Sequence, residues 1–322
     1  MPWVIGCDEA GYGPPLGAFT QASVAIKLPD AISAVEDTWS CFPDLFRRRK
    51  GAAKVKIGEF PLVVDDSKLV TQLSSGVQHM GALWPLLFSF PTLPTTRLGH
   101  LLEWAHLPDN TFKDDPSFSP DFPLVFQVEE AHRTQAEKMF SAAGLVERQA
   151  RISMCSPKVF NRMIDQTQNK SSVLEWGWQR HMRWWINHLP GTDPLVIISD
   201  RLGGKKSYGG LFQETIGQDG IVQILQEKDE LCTYKVLGCK REILLLVCPK
   251  ADSTYLTVAA ASMLAKHLRE ISMEMVNQFW IEKCPELKPT AGYPEDGKRF
   301  FNQIQPILVR LGINPDSVWR KR

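Results

Sequence analysis

The feature that most constrains this chain is an apolar run that ends in two adjacent carboxylates and a loop rich in glycine and proline. Residues 4–7 read as a buried strand, and Asp8 and Glu9 follow directly. Residues 10–17 hold too many glycines and prolines for a helix or a regular strand. Two acids at the end of a buried strand are costly unless a positive group, such as a metal ion, shares the site. The run therefore indicates a site, and the alternative is a strand that ends in a solvated acidic turn.

Length and composition are those of a globular protein. The chain has 322 residues, of which 43% are hydrophobic and 23% are charged. No apolar run approaches the ~20 residues of a membrane span, and the first residues do not resemble a secretion signal. Seven cysteines without a CxxC pair argue against a disulfide framework, a disulfide-linked partner and a zinc knuckle. We therefore expect a cytoplasmic protein that does not contact a membrane.

Charge is balanced over the whole chain but locally clustered. The net charge of +1 is not that of a protein with a strongly basic face, which many nucleic-acid-binding domains carry. Basic residues nevertheless concentrate at residues 47–50, with Lys54 and Lys56 beyond them, and again at residues 320–322. Such runs can neutralise phosphates, but they are more often solvated loops or tails.

Two further acids stand at the ends of predicted elements. Residues 195–199 form an apolar run typical of a central strand buried on both faces, and Asp200 closes that run. Asp252 comes just before a long helix predicted over residues 257–280. The alternatives for these two acids are a solvated strand end and a carboxylate that complements the helix dipole.

A third predicted strand, over residues 59–64, leads into a short polar segment. This segment brings Asp66, Ser67 and Lys68 to the start of a helix. Asp66 or Ser67 can simply cap that helix. Lys68 is harder to explain in this way, because a helix N-terminus disfavours a cation.

The remaining patterns alternate between the periods of strands and helices. We expect strands over 18–26, 221–226, 231–236 and 242–248, and helices over 31–39, 127–143, 156–189, 211–217 and 300–311, the last kinked or restarted at Pro306. Residues 85–125 are rich in proline and weakly periodic, which predicts an insertion or a lid-like excursion. The four tryptophans between residues 176 and 185 are expected in the core, with base stacking as the less favoured alternative.

Five segments, in order along the chain, resemble motifs of the type 2 ribonucleases H (ribonuclease HII). Residues 8–14 (DEAGYGP) resemble the family's DEAGRGP signature, and residues 66–69 (DSKL) resemble its DSK-L segment. Asp200 stands at a strand end where the family has its third acid. Residues 250–266 are similar to its KAD…SAAS-AK block, and residues 292–294 (GYP), with Trp319 and Arg320 downstream, resemble its closing motif. The resemblance spans the chain except for residues of about 73–148.

The resemblance implies a fold and a division of the chain. The fold would be α/β, a ribonuclease-H-like mixed sheet flanked by helices, with a central insertion and a C-terminal helical appendage. Residues 1–288 would be the catalytic domain, with the insertion at about 73–148. Residues 289–322 would be a substrate-binding helical segment.

The resemblance also implies an activity. It is that of a metal-dependent endonuclease that hydrolyses the RNA strand of RNA–DNA hybrids, or cuts at ribonucleotides embedded in duplex DNA, to leave 5′-phosphate and 3′-hydroxyl ends. The catalytic and metal-binding residues would be Asp8, Glu9, Asp200 and Asp252. Such hard oxygen ligands suit Mg²⁺ or Mn²⁺ rather than zinc, and two such ions support in-line phosphodiester cleavage. No histidine lies in these motifs, which disfavours a ribonuclease of the histidine acid–base type.

Substrate binding would fall to the glycine loop and to side chains around it. By resemblance, the residues involved are Gly11, Tyr12, Gly13, Ser67, Lys68, Ser262, Lys266 and Tyr293. The loop would place backbone groups against a 2′-hydroxyl, which distinguishes RNA from DNA. Lys68, Ser262 and Lys266 would contact phosphates, although a buried serine and an exposed lysine on a helix explain the last two equally well.

Tyr12 departs from the family pattern, which has arginine at this position. Arginine contributes a permanent charge and a fork of donors that tyrosine lacks. A second class of function therefore stays open, a nucleic-acid- or partner-binding protein on the same fold with weak turnover. A third is a metal-dependent nuclease for another DNA structure, since a fold does not fix a function.

Overall fold

The computed structural model describes all residues except 31, 33–37, 50–55, 92–95, 109–110 and 322. The strands of the described residues are β1 (Trp3–Ala10), β2 (Phe19–Lys27), β3 (Phe46–Arg47), β4 (Leu62–Val63), β5 (Arg148–Cys155), β6 (Leu195–Ser199), β7 (Ile221–Glu227), β8 (Cys232–Leu237) and β9 (Ile243–Val247). The helices are α1 (Thr38–Cys41), α2 (Ser67–Val70), α3 (Gly76–Leu87), α4 (Leu98–Ala105), α5 (Glu130–Ala142), α6 (Pro157–Thr167), α7 (Ser171–His188), α8 (Gly209–Ile216), α9 (Leu256–Lys283) and α10 (Pro294–Leu311). Short 3₁₀ helices span Ala251–Ser253 and Pro315–Ser317.

Seven strands form one sheet in the order β5-β2-β1-β6-β9-β8-β7. The pairs β1–β6 and β6–β9 are parallel, and the other pairs are antiparallel. Strands β3 and β4 form a separate parallel pair. The expected α/β fold with a mixed central sheet and flanking helices is therefore confirmed. Because β1 and β6 are parallel neighbours, their carboxyl ends meet at the same edge of the sheet.

Helix α9 packs closely on the first two strands. Gly6 permits this approach, since a Cβ atom there would stand 2.2 Å from the carbonyl carbon of Thr257 and 2.3 Å from the nitrogen of Val258. The hydroxyl of Thr20 in β2 donates to the carbonyl of Ala265 at 2.9 Å. The position of α9 on the sheet is thus fixed by one close backbone contact and by a strand-to-helix hydrogen bond.

We expect residues 85–125 to be an insertion or a lid-like excursion, and the described residues of this stretch pack on the core instead of forming a lid. Helices α3 and α4 begin and end within or beside this stretch, and their apolar side chains share one core with α9. Trp84 Nε1 donates to His267 Nδ1 of α9 at 3.2 Å. Helix α3 is buried on nearly all of its surface, so it lacks the amphipathic period that sequence analysis detects.

Three other elements differ from the sequence-based expectation. Strand β5 was not predicted, because Arg148 and Arg151 interrupt its apolar pattern. The helix expected over residues 156–189 is two helices, separated where Gln168 adopts a left-handed φ of 52°. Helix α10 begins earlier than expected and continues past Pro306. Most of the helix expected over residues 31–39 lies outside the described residues, as do Lys50, Lys54 and Arg322.

The four tryptophans of α7 have a structural role. Trp178 and Trp185 are buried in the core between the sheet and α7. The guanidinium of Arg180 lies 4.6 Å from the ring centroid of Trp176. Trp184 is covered by Arg151 at 4.0 Å and stacks on His188 with ring centroids 4.6 Å apart. These contacts favour packing over base stacking.

Among the described residues, no helix combines the length and the apolarity needed to cross a bilayer.

The close contact at Gly6 yields a stability prediction. We expect Gly6→Ala to lower the free energy of unfolding by about 1–3 kcal/mol, because the added methyl group meets helix backbone that cannot rotate away. Gly210→Ala in α8 is the control, since a Cβ atom there meets nothing within 4 Å and alanine favours a helix by about 1 kcal/mol. Urea denaturation of both variants measures the difference. Equal stability of the two variants would contradict the prediction.

Candidate active site

The carboxyl ends of β1 and β6 bring the four predicted acids together. Cys7 pairs with Ser199, so Asp8 and Asp200, the next residues along the two parallel strands, lie at the same level. Glu9 follows in β1, and Asp252 lies in the 3₁₀ turn that connects β9 to α9. Asp252 is 8% exposed, and the other three residues are half-buried. The grouping expected from strand ends is therefore present, and the catalytic role of these residues stays a prediction.

Each of these four carboxyl groups has a pKa above its ordinary value. Burial is the first cause in every case. Repulsion between neighbouring carboxylates adds to it, from Glu9 on Asp8 and from Asp200 on Glu9. The pKa of Glu9 is raised to about 7, and that of Asp252 to about 6, with Asp66 and Asp200 as the acids that repel it. Burial, with added repulsion at Asp8, Glu9 and Asp252, thus favours the protonated forms of these acids.

Lys68 is a cation that faces this cluster. Its charge lowers the pKa of Glu9, Asp200 and Asp252, against the larger upward effects. Helix α2 holds it there, because the side chain of Asp66 caps the helix and accepts from the Lys68 backbone nitrogen at 2.8 Å. Asp66 therefore has the capping role that the sequence suggested, and Lys68 balances part of the charge of the acids.

Two serines form a support behind Asp8. The hydroxyl oxygens of Ser67 and Ser262 lie 3.0 Å apart, and a hydrogen bond from Ser262 lowers the pKa of Asp8. Ser262 is 3% exposed and lies on α9. The structure therefore places Ser262 against Asp8, where it orients a carboxylate, rather than on the open surface where a phosphate would arrive.

Backbone donors fix the third acid. Asp200 Oδ1 accepts from the backbone nitrogen of Arg201 at 2.7 Å and from that of Lys250 at 3.0 Å. Lys250 has a left-handed φ of 56°, which turns the chain into the 3₁₀ helix that carries Asp252. One carboxylate thus ties the end of β6 to the turn that holds the next acid.

Part of the basic run at residues 47–50 is tied to the site. The guanidinium of Arg48 donates to the carbonyl of Ser253, next to Asp252, and lies 4.0 Å from the ring centroid of Trp39. The backbone nitrogen of Arg49 donates to Oδ2 of the buried Asp65 at 2.9 Å. We had considered this run as a solvated loop or a phosphate-binding segment. The structure shows that two of its residues brace the turns that carry Asp252 and Lys68.

A cleft of about 540 Å³ opens beside Glu9. Its walls contain seven of the eight predicted substrate-binding residues, all except Ser262: Gly11, Tyr12, Gly13, Ser67, Lys68, Lys266 and Tyr293. Glu9 lines the acidic end, and Arg269, which we had not predicted, lines the wall formed by α9. Lys266 is paired with Glu270, and Tyr293 is 55% exposed. The cleft therefore joins an acidic end to a wall with cationic and aromatic side chains.

Tyr12 is held in an aromatic pocket. Its ring lies 6.1 Å from that of Phe19 and 6.4 Å from that of Phe160, centroid to centroid. Lys170 Nζ lies 4.7 Å from the centroid of the Tyr12 ring. The pKa of the Tyr12 hydroxyl is raised, first by burial and then by the charges of Glu9 and Glu175. Tyr12 thus packs against the protein while one side of it lines the cleft.

The chemistry of the four acids suits a hard divalent cation. Carboxylate oxygens are the ligands that Mg²⁺ and Mn²⁺ prefer, and a cation would relieve the repulsion that raises the pKa values of Asp8 and Glu9. Within the described part of the chain, no three His, Cys, Asp or Glu side chains form a ready-made metal-binding group.

The raised pKa of Glu9 predicts how stability depends on pH. Its pKa is about 7 in the folded chain, against an ordinary value of 4.5, so the folded state holds this proton more tightly than the unfolded state. The associated stability is present below the ordinary pKa and is lost as the pH rises through 7. We expect Glu9→Gln to raise the free energy of unfolding at about pH 8 by on the order of 1 kcal/mol and to flatten the loss from about pH 5 to 8.

Urea denaturation with a chelator present measures this effect. Glu103→Gln, at an exposed position, is the matched control and should leave the pH profile as it is in the wild type. A Glu9→Gln protein that is less stable than the wild type at pH 8 would contradict the prediction.

Comparison with known proteins finds a distant structural likeness. No family model and no curated protein matches the chain. The structure is similar to that of ribonuclease H2 from Pyrococcus horikoshii OT3, with 15% identity, a TM-score of 0.43, and coverage of 98% of this chain and 92% of that one. It is also similar to RNase HII from Archaeoglobus fulgidus, solved as a complex with PCNA, with 14% identity, a TM-score of 0.40, and coverage of 99% and 94%.

A third similar structure is RNase H3 from Aquifex aeolicus, with 10% identity, a TM-score of 0.40, and coverage of 98% of this chain and 71% of that one. At these identities and TM-scores the likeness says nothing of activity, which has to be inferred from the side chains of the cleft. The chain is thus distantly similar, over nearly its whole length, to solved ribonucleases H.

Proposed function

We propose that this protein is a metal-dependent endonuclease of the ribonuclease H type, which hydrolyses the RNA strand of RNA–DNA hybrids or cuts at ribonucleotides in duplex DNA. One observation carries the proposal. Four carboxyl groups with raised pKa values influence one another, and one of them, Glu9, lines a cleft whose other walls include a glycine loop, Lys68, Lys266 and Tyr293. Such a cleft offers oxygen ligands for cations at one end and contacts for a nucleic-acid backbone along the rest.

Asp8, Glu9, Asp200 and Asp252 would hold Mg²⁺ or Mn²⁺. Two such ions, when bound, activate a water molecule and stabilise the leaving oxygen, which gives 5′-phosphate and 3′-hydroxyl ends. The protein's own contribution is to hold the ligands in place. Ser262 orients Asp8, and the backbone nitrogens of Arg201 and Lys250 orient Asp200.

The loop and the wall opposite supply recognition. Gly11 adopts a left-handed φ of 83°, which bends the loop along the cleft, and Gly13 leaves the loop open to a ligand, because a Cβ atom there would meet nothing within 4 Å. A backbone donor or acceptor in this position suits a 2′-hydroxyl, which both donates and accepts hydrogen bonds. The exposed ring of Tyr293 offers a flat face to a sugar or a base. Lys68 and Lys266 add positive charge for the phosphates of the same strand.

Cleavage of a defined duplex tests the activity. With Mg²⁺ or Mn²⁺, we expect the wild type to cut a DNA duplex that contains one ribonucleotide, at that nucleotide. Asp8→Asn should lower the rate by more than about 100-fold, because removal of a residue that only supports a metal ligand already costs about 10- to 100-fold. Denaturing gel electrophoresis maps the cut. Absence of cleavage by the wild type, or equal cleavage by Asp8→Asn, would refute the proposal.

A substitution at Gly13 allows an effect on substrate recognition to be measured separately from an effect on stability. It lines the cleft, and a Cβ atom there meets no heavy atom within 4 Å. We therefore expect Gly13→Ala to change the free energy of unfolding by less than about 0.5 kcal/mol. Its methyl group should nevertheless displace a ligand from the loop and slow cleavage by on the order of 10- to 100-fold. Urea denaturation and single-turnover cleavage measure the two effects, and an unaffected rate would argue against close approach at this loop.

A second candidate is a binding protein on the same fold with weak turnover. The observation that favours it is Tyr12, a neutral side chain that packs on Phe19 and Phe160 at the mouth of the cleft. Hybrid binding without cleavage, not improved by Tyr12→Arg, would support this candidate. Robust cleavage by the wild type would exclude it. The same assay with junction and flap DNA would identify a nuclease for another structure.

A further inference from the structure

Arg320, near the C-terminus, is a buried side chain rather than part of a solvated tail. It is 1% exposed. Its Nη2 donates to the carbonyl oxygens of Gly11 and Pro14, and its backbone nitrogen donates to that of Pro15 at 2.8 Å. A single residue near the C-terminus, Arg320, thus binds three carbonyl groups of the glycine loop.

The tail is itself fixed from its outer side. Leu16 and Trp319 form an antiparallel bridge, which places the tail alongside the end of the loop. The buried side chain of Asn161 in α6 donates to the carbonyl of Trp319 at 2.8 Å and accepts from the backbone nitrogen of Lys321 at 2.8 Å. The tail is therefore held between the loop and α6, so the position of Arg320 is set by the fold.

A second buried arginine lies under the same loop. Arg269 of α9 is 3% exposed, and its Nη2 donates to the carbonyl of Leu16 at 2.9 Å. The backbone of Gly11 passes so close to Arg269 that a Cβ atom there would stand 2.7 Å from it. Within the described part of the chain, Nη1 of Arg269 and both Nε and Nη1 of Arg320 have no hydrogen-bond partner.

The loop therefore rests on two guanidinium groups. Burial lowers the pKa of Arg269 to about 10 and that of Arg320 to about 9, and repulsion by Arg269 contributes to the second value. Donors of charged groups form stronger hydrogen bonds with carbonyls than neutral donors do. The carbonyls of Gly11 and Pro14 are drawn inward, while residues 9–14 line the cleft on the other side.

We propose that Arg320 is a positioning residue, which fixes the shape of the glycine loop and thereby the discrimination between ribose and deoxyribose. The C-terminal tail is then part of the recognition apparatus. The effect on discrimination rests on the proposed function, whereas the effect on loop order does not.

Hydrogen exchange of the loop tests the positional effect without any substrate. Arg320→Met keeps an apolar stem but removes the donors to Gly11 and Pro14. We expect it to raise amide exchange between residues 11 and 17 by about tenfold or more, with β6 unchanged. Lys321→Met is the matched control, because Lys321 is in the same tail but pairs with Asp165 at the surface. Unchanged loop exchange in Arg320→Met would overturn the proposal.

The second measurement compares affinities for two duplexes, one with a single ribonucleotide and one all-DNA, with Ca²⁺ in place of a cleavage-supporting metal. We expect Arg320→Met to lower the ratio of the two affinities by about tenfold, and Lys321→Met to leave it unchanged. Arg320→Lys should give an intermediate ratio, because one ammonium replaces a fork of donors. A merely structural role would lower both affinities equally, and that result would overturn the effect on discrimination.

Chemical rescue keeps the test decisive if Arg320→Met unfolds. Arg320→Lys then serves for the exchange measurement. Arg320→Ala with millimolar guanidinium chloride, against sodium chloride of equal ionic strength, should regain loop protection, and no regain would contradict the proposal. If the loop responds as expected but the wild type does not distinguish the two duplexes, the proposed function fails while the loop-fixing role of Arg320 stands.

Discussion

The contact between α9 and β1 is the interaction on which the rest of the structure depends. Gly6 lets the helix backbone at Thr257 and Val258 come within the distance at which any side chain would clash. The alanines that follow, Ala259 to Ala261, are fully buried and add little bulk. Since interiors are packed at crystal-like density, a helix seated in this way has no freedom to shift along the strand. The position of every α9 residue relative to the carboxyl end of β1 is therefore fixed.

The register of α9 orders the cleft. Ser262, Lys266 and Arg269 follow one another at four- and three-residue steps, so they lie on one face of the helix. The first orients Asp8, the second lines the cleft, and the third supports the glycine loop. Asp252 lies just before the same helix. Negative charge is therefore concentrated beyond the N-terminus of α9 and positive charge along its side, which gives the cleft a polarity that suits cations at one end and phosphates along the other.

What the sequence could predict was local. An apolar run that ends in an acid marks the end of a buried strand, and this pattern identified Asp8 and Asp200 before any pairing was known. The helix of α9 and several strands of the sheet follow from periodicity in the same way. Strand β5 was not predicted, because Arg148 and Arg151 interrupt its apolar pattern. In the structure these two arginines pack on the rings of Phe140 and Trp184. An arginine can be part of a buried strand when its side chain packs on aromatic rings, but the sequence alone shows only a charged residue, which is more typical of a loop.

What the sequence could not predict depends on partners that are far apart in the chain. Arg320 and Gly11 are 309 positions apart, so no local pattern distinguishes this arginine from those of a solvated tail. Phe160 of α6 connects the same parts of the site, because the ring of Tyr12 lies 6.4 Å from it and the guanidinium of Arg320 lies 4.8 Å from it. A neutral side chain on the loop and a buried cation below it thus share one aromatic wall. Part of the positive charge near the loop is supplied from beneath its backbone, where Arg269 binds the carbonyl of Leu16 and Arg320 binds that of Gly11.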